Sequence, residues 1–255
     1  MRYLLSRASQ SILTRLAQEK TLCAFDFDGT LSPIVGHPGR ARMRARTRIL
    51  LGHLAALYPC VIITGRARED LIGKLGGAKV ARVIGNHGAE TEATVRRSSR
   101  RVERWKVALE LELGPLPGVS VEDKGLSLAV HYRQSTQKAE ARRRILAATR
   151  KLEQVRVFGG KQVVNLVVDS ALHKGEALAV ERDRLGCNWV LYVGDDENDE
   201  DAFALDGNIV PVRIGRKRRS HALYYLRTQA EIEKLLKLLV LLRASGVSRA
   251  VRRPE

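Results

Sequence analysis

Two carboxylates stand one residue apart in Ala24-Phe25-Asp26-Phe27-Asp28-Gly29-Thr30-Leu31, at the end of an apolar run and directly before a glycine. A strand alternates its faces with a period of two, so Asp26 and Asp28 project the same way from its carboxyl end, and Gly29 permits a sharp exit. Anions that close repel unless a cation or a proton sits between them. A divalent cation and a phosphoryl group account for the pair: one carboxylate attacks phosphorus and the other exchanges a proton with the leaving oxygen. The plainer alternative is an acidic strand-to-turn exit, since short motifs also arise without function.

Three further segments bear on that choice. Val61-Ile62-Ile63-Thr64-Gly65-Arg66 is a second apolar run, ending in a hydroxyl suited to a phosphate oxygen. Lys174-Gly175 opens a helical stretch over 176–184 and brings an ammonium group toward the same place. Trp189-Val190-Leu191-Tyr192-Val193-Gly194-Asp195-Asp196-Glu197-Asn198-Asp199 is a third buried-type strand, and its carboxylate cluster completes an oxygen-ligand site for a hard cation such as magnesium. Each segment alone has a structural reading. Their order, carboxylates, Thr64, Lys174, carboxylates, favours phosphoryl chemistry.

The elements that position these groups follow from periodicity. Apolar strands near 22–27, 60–64, 80–84 and 190–194 alternate with helical segments near 47–57, 68–75, 174–185 and 199–204. Such alternation predicts an α/β fold with a parallel sheet, helices on both faces, and ligands at the carboxyl ends of the strands. Between Glu92 and Val168 the pattern changes to a helix near 102–113, strands at 120–122 and 126–132, a charged helix at 136–152, and strands at 155–158 and 162–168. That reads as a separate α+β lid, dividing the chain into a core of residues 1–92 and 169–255 and an insert of 93–168. Helical spacing at 6–18 and 230–242 predicts two terminal helices packed on the core, with a frayed tail over 243–255.

With 44% hydrophobic residues in 255, the chain can bury one substantial core and a smaller second one. Cys23, Cys60 and Cys187 are scattered in or beside apolar runs and read as reduced core residues of a soluble, cytoplasmic protein. No stretch suits a secretory signal or a membrane span. The formal charge of +17 invites a nucleic-acid reading, with basic residues clustered at 40–48, at 96–104 and at Arg213, Arg216, Lys217, Arg218 and Arg219. Aromatics are only 5% and do not interleave with these clusters as stacking platforms would. The preferred reading is a solvated basic surface that attracts an anionic substrate.

The order of the site segments resembles the haloacid dehalogenase (HAD) superfamily of phosphohydrolases. Gly85-Asn86-His87-Gly88-Ala89-Glu90, the stretch Val121 to Arg133, and the stretch Gly194 to Phe203 make the resemblance specific to trehalose-6-phosphate phosphatases, over about Thr21 to Val212. The resemblance implies a HAD-like Rossmannoid core with a C2-type α+β cap that carries sugar recognition, and Mg2+ as cofactor. It implies Asp26 as the nucleophile forming an aspartyl-phosphate, and Asp28 as the acid and then the base. The cation would be held by the Asp26 carboxylate, the backbone carbonyl of Asp28, and Asp195, with Asp199 supporting that shell. Thr64 and Lys174 would hold phosphate oxygens. Arg66 either touches substrate or is a salt-bridged support, and His87 either orients substrate or satisfies a turn. Glu122 and Lys124 pair acceptors with donors on a tight strand-to-turn in the lid, as a hydroxyl-rich sugar requires, with His131 and Arg133 bracing that turn.

Two positions depart from the family pattern. Val164-Asn165-Leu166 stands where a Glu-Leu/Ile-Arg-Pro segment is usual, so Asn165 takes the sugar-recognition position with an amide in place of a charge. Asn198 replaces a usual Thr. The expected activity is magnesium-dependent hydrolysis of trehalose 6-phosphate to trehalose and phosphate. Asn165 keeps a rival open, a phosphatase of a sucrose-, glucosylglycerol- or mannosylglycerate-type phosphate. A different class is a non-catalytic regulatory partner of a sugar-phosphate synthase, against which the intact Asp26, Asp28, Thr64, Lys174 and Asp195 argue.

Overall fold

Every residue of Thr21–Phe25 is buried, as a central strand with both faces covered demands. The computed structural model describes residues 1–36, 38–90 and 95–251, and their side chains except at 38, 95–98 and 247–251. In chain order the elements are β1 (Arg2–Tyr3), α1 (Gln10–Gln18), β2 (Thr21–Phe25), α2 (Ala45–Ala55), β3 (Cys60–Ile63), α3 (Arg68–Ile72) and β4 (Arg82–Ile84). There follow α4 (Val95–Leu113), β5 (Ser120–Asp123), β6 (Ser127–His131), α5 (Lys138–Thr149), β7 (Val155–Gly160) and β8 (Val163–Val168). The chain ends with α6 (Lys174–Arg184), β9 (Trp189–Gly194), α7 (Glu200–Phe203), β10 (Ile209–Ile214), β11 (Tyr224–Leu226) and α8 (Ile232–Val251).

Seven strands form one sheet in the order β1-β11-β10-β9-β2-β3-β4, and every pairing in it is parallel. Alternation splits the central strands between two cores. Cys23 and Phe25 join Leu191 and Val193 under the terminal helices, where Leu13 and Leu16 of α1 meet Leu235, Leu236 and Leu239 of α8. Leu22, Ala24, Val190 and Tyr192 face Ala177 and Leu178 of α6 and Phe203 of α7. Because β2 lies between β9 and β3, the first residues beyond these strands, Asp26, Asp195 and Thr64, emerge side by side.

The segment between β4 and α6 forms a second, antiparallel sheet of four strands, β5-β6-β8-β7. Leu128, Val130, Val164 and Leu166 turn one face onto Trp105 and Leu109 of α4 and Ile145 of α5, a core of its own. The register aligns Glu122, Ala129, Asn165 and Phe158 in one row across the four strands. Directly opposed residues share a face, so the row lies on the face away from those helices.

The predicted helices and strands are present with shifted ends, and three strands go beyond expectation. β1, β10 and β11 extend the sheet, β1 by only two residues, too few for a periodic signal. The predicted fraying at 243 is corrected: α8 continues through Val251. Arg243 donates to the carbonyls of Ala17 and Glu19 and stacks over Tyr58, which ties that turn of the helix to the body. Residues 252–255, 91–94 and the side chains of Arg96 and Arg97 lie outside the described portion. No helix among the described residues is long and apolar enough to cross a membrane.

Candidate active site

At the carboxyl end of the sheet the buried charges form one connected group. Lys174, the first residue of α6, is 1% exposed, and its Nζ donates to Asp26 Oδ1 at 2.8 Å and to Asp199 Oδ1 at 2.7 Å. Burial disfavours its ammonium form, yet the neighbouring Asp199 and Asp26 carboxylates outweigh that and hold its pKa above the usual lysine range. Burial pushes Asp26 well up, with Lys174 opposing and Asp199 and Asp195 adding to the rise.

Asp199 is the hub. Its Oδ1 also accepts from the Tyr192 hydroxyl at 2.7 Å, and its Oδ2 accepts from the backbone N–H groups of Asp195 and Asp196 at 2.8 and 2.9 Å. These bonds with Lys174 occupy its lone pairs. Asp195 is the converse: Oδ2 pairs with Lys161 from the turn between β7 and β8, while the buried Oδ1 has no partner. Burial and Asp199 raise its pKa to about 6. Ligand oxygens of Asp26, Asp195 and Asp199 lie within 4.8 Å of one another. An orphaned oxygen on Asp195, beside an Asp26 that burial also pushes toward protonation, is the environment a divalent cation would relieve, so these residues fit such an ion. Asp26 and Asp195 have oxygens to give it; Asp199 does not. Gly29 takes φ +86°, and a Cβ there would collide with the Asp195 carboxylate.

The second carboxylate of the opening motif stands apart from this group. Asp28 is held by the Arg66 guanidinium fork, Nε to Oδ2 at 2.7 Å and Nη2 to Oδ1 at 2.8 Å, and Arg66 Nη1 reaches Asp70 at 2.7 Å. Of the two readings of Arg66, the structure thus gives the salt-bridged one in this state. Thr64 lies at the end of β3 but is fully buried and does not line the cavity. Its Oγ accepts from the Arg66 N–H at 3.2 Å, which uses a lone pair and leaves the hydroxyl proton available.

A cavity of about 510 Å3 opens from these groups, and Asp26, Asp28, Arg66, His87, Glu122, Lys124, Asn165 and Asp195 all line it. Its far wall comes from the second sheet. Glu122 accepts from or shares a proton with His131 Nε2 at 2.7 Å, and Lys124 Nζ donates to the Gly65 carbonyl at 3.0 Å. Arg133, just past β6, donates to the carbonyl of Val35 in the loop after β2, rather than bracing the Glu122 turn as expected. Asn165 is 3% exposed and lies in the same row as Glu122 with only Ala129 between them.

His87 occupies a strained turn: Asn86, His87 and Gly88 have φ of 51°, 60° and 105° in succession. The ring meets Phe158 edge-on at 4.8 Å, and burial with Lys124 and Lys174 nearby keeps it neutral, its pKa well below the usual value. A Cβ on Gly65 would strike that ring. Beside it the Asn86 amide oxygen accepts from Ser127 Oγ at 2.6 Å, a buried bond between the two sheets. Sequence reasoning did not single out Lys161, Ser127 or the hub role of Tyr192. A tyrosine inside an otherwise apolar strand was a signal for the last; the other two depend on where the second sheet docks.

Comparison with known proteins agrees with the geometry. The sequence profile of the trehalose-phosphatase family matches residues 24–209. The chain belongs to that family. It is 28% identical over 268 residues to the probable trehalose-phosphate phosphatase 2 of Oryza sativa subsp. japonica, covering 89% of this chain and 70% of that one. It is 32% identical over 230 residues to the trehalose-phosphate phosphatase of Mycobacterium tuberculosis, covering 82% of this chain and 58% of that one. The C-terminal domain of the C. albicans trehalose-6-phosphate phosphatase has the same fold, with a TM-score of 0.78 at 21% identity over 91% of this chain and 96% of that one. The match to the mycobacterial relative spans less than two thirds of that protein's own length.

Proposed function

We propose that the chain hydrolyses trehalose 6-phosphate to trehalose and phosphate, using Asp26 as nucleophile, Asp28 as acid and base, and magnesium as the divalent cation. The observation that carries the reading is the single cavity in which the acidic group on the parallel sheet faces Glu122, Lys124 and Asn165 on the antiparallel one. In this reading residues 1–92 and 169–255 act as the catalytic core and 93–168 as the sugar-reading cap. The three cysteines are unpaired and buried, in keeping with a reducing compartment such as the cytoplasm.

Each residue has a defined task. Asp26 bonds to phosphorus as the bond from phosphorus to the sugar 6-oxygen breaks, and Asp28 gives its proton to that oxygen. Asp28, now a carboxylate, takes a proton from water as the water oxygen attacks phosphorus; Asp26 departs as a carboxylate and the cycle closes. Arg66 makes one bond to each Asp28 oxygen, so each oxygen keeps a lone pair that can carry the proton. Lys174 fixes Asp26 through Oδ1, and Thr64, buried behind the cavity wall, holds the Arg66 backbone. A bound cation, held by Asp26, Asp195 and the Asp28 carbonyl, would neutralise charge where an anionic nucleophile meets an anionic phosphate.

Asn165 supports a second reading, a phosphatase of another sugar phosphate, because an amide replaces the family's usual carboxylate in the Glu122 row. Phosphate release over a panel of sugar phosphates, with magnesium and with chelator, decides between them. Preference for trehalose 6-phosphate supports the first reading; a higher kcat/KM for another sugar supports the second; no release from any would refute both.

A further inference from the structure

Arg213, in a stretch whose basic residues read as solvated surface, is 6% exposed and lies on β10 beside the acidic loop. Its Nη2 donates to the backbone carbonyl of Asp195 at 2.6 Å, and Nη1 donates to the carbonyl of Asp196 at 2.9 Å and to Glu200 Oε1 at 2.9 Å. Parallel pairing puts Arg213 opposite Gly194, the residue before Asp195. Asp195 is therefore gripped on both sides of its backbone: Asp199 Oδ2 takes its N–H and Arg213 its carbonyl. The loop needs such a grip, since the Asp195 carboxylate is squeezed against the Cα of Gly29 and points an unpartnered oxygen into the site. A planar guanidinium spans two successive carbonyls, which an ammonium cannot do with the same geometry.

We propose that Arg213 is a positioning residue for divalent-cation binding, acting through the backbone of Asp195 and Asp196 and not by touching ion or substrate. This rests on the reading of Asp195 as a cation ligand. Partners that orient a metal ligand typically govern roughly 10- to 100-fold in metal affinity.

The test is direct titration of Mn2+ into substrate-free protein, followed by electron paramagnetic resonance of the free ion, for wild type, Arg213→Met, Arg213→Lys and Glu200→Gln. Arg213→Met is expected to weaken Mn2+ binding roughly 10- to 100-fold, and Arg213→Lys by less because one carbonyl stays within reach. In both, kcat should recover at saturating cation, which separates positioning from catalysis. Glu200→Gln removes the ion pair but keeps both carbonyl bonds, so it should lower the melting temperature with Mn2+ affinity unchanged. Wild-type affinity in folded Arg213→Lys and Arg213→Met would overturn the proposal while leaving the cation reading intact; if Arg213→Met does not fold, Arg213→Lys decides. Absence of Mn2+ binding by wild type would overturn both.

Discussion

Lys174 answers for two buried carboxylates at once, and its loss would be felt in stability before chemistry. Lys174→Met leaves Asp26 and Asp199 buried with no cation between them, a change that costs roughly 3–5 kcal/mol when one partner of a buried pair is removed. Denaturant unfolding of the variant against wild type measures it, and a midpoint within error of wild type would show that the acidic group is relieved by something else. Asp26→Asn keeps the volume and one acceptor for Lys174, so it should fold normally while losing turnover by about 10,000-fold or more, the scale seen when a covalent nucleophile is removed. Residual steady-state activity near wild type would assign the nucleophile elsewhere. The chemistry was legible because carboxylates, Thr64 and Lys174 each close or open an element, where one-dimensional order maps onto one edge of a sheet. Which oxygen is saturated and which is orphaned was not, because Asp195 and Asp199 differ only in what surrounds them. The sequence placed Asp28 beside the phosphate; its capture by Arg66 needed the fold of the turn after β3.

Among elements, the sheet of β5 to β8 shows how register sets which residue types face the cavity together. Glu122, Ala129, Asn165 and Phe158 form one row, so on the proposed reading a sugar bound at Glu122 would meet Asn165 across the Ala129 methyl group. Glu122→Ala should lower kcat/KM for the disaccharide phosphate far more than for a small aryl phosphate, because the latter never draws binding energy from this row. Equal losses on both substrates would mean that Glu122 acts on the core and not on the sugar. Asn165→Glu tests the same row in the opposite sense, with an expected gain in the ratio for trehalose 6-phosphate. The alternation of strands and helices foretold both sheets, most clearly at β2, β3 and β9, whose residues form apolar runs. β1 and β11 were not foreseen: they are two and three residues long, and only the completed sheet gives them partners.

For the whole molecule, the formal charge of +17 sets a long-range attraction for an anionic phosphate ester. Raising ionic strength across the range that shortens the screening length from about 30 Å to about 8 Å should lower kcat/KM while leaving kcat nearly constant. A salt-independent kcat/KM would show that the basic surface serves something other than substrate encounter.

The order of strands also dictates the order of assembly during synthesis. The strand that leads to Asp26 pairs along one edge with β3, Cys23 opposite Cys60, but its other edge waits for β9, with Thr21 opposite Trp189, beyond the entire antiparallel unit. Arg2 waits longer still, for Tyr224. The strands β5 to β8 instead find one another within a short stretch of chain, so they should close first, on the ribosome, while β2 stands with one edge unpaired. Nascent chains halted before β9 are expected to show a protease-resistant middle between sensitive flanks, and to carry a bare hydrophobic strand edge that invites a chaperone or a second nascent copy. The placement of Asp26 on a central strand thus gives a dry, rigid seat for chemistry and makes that seat one of the last parts of the protein to exist.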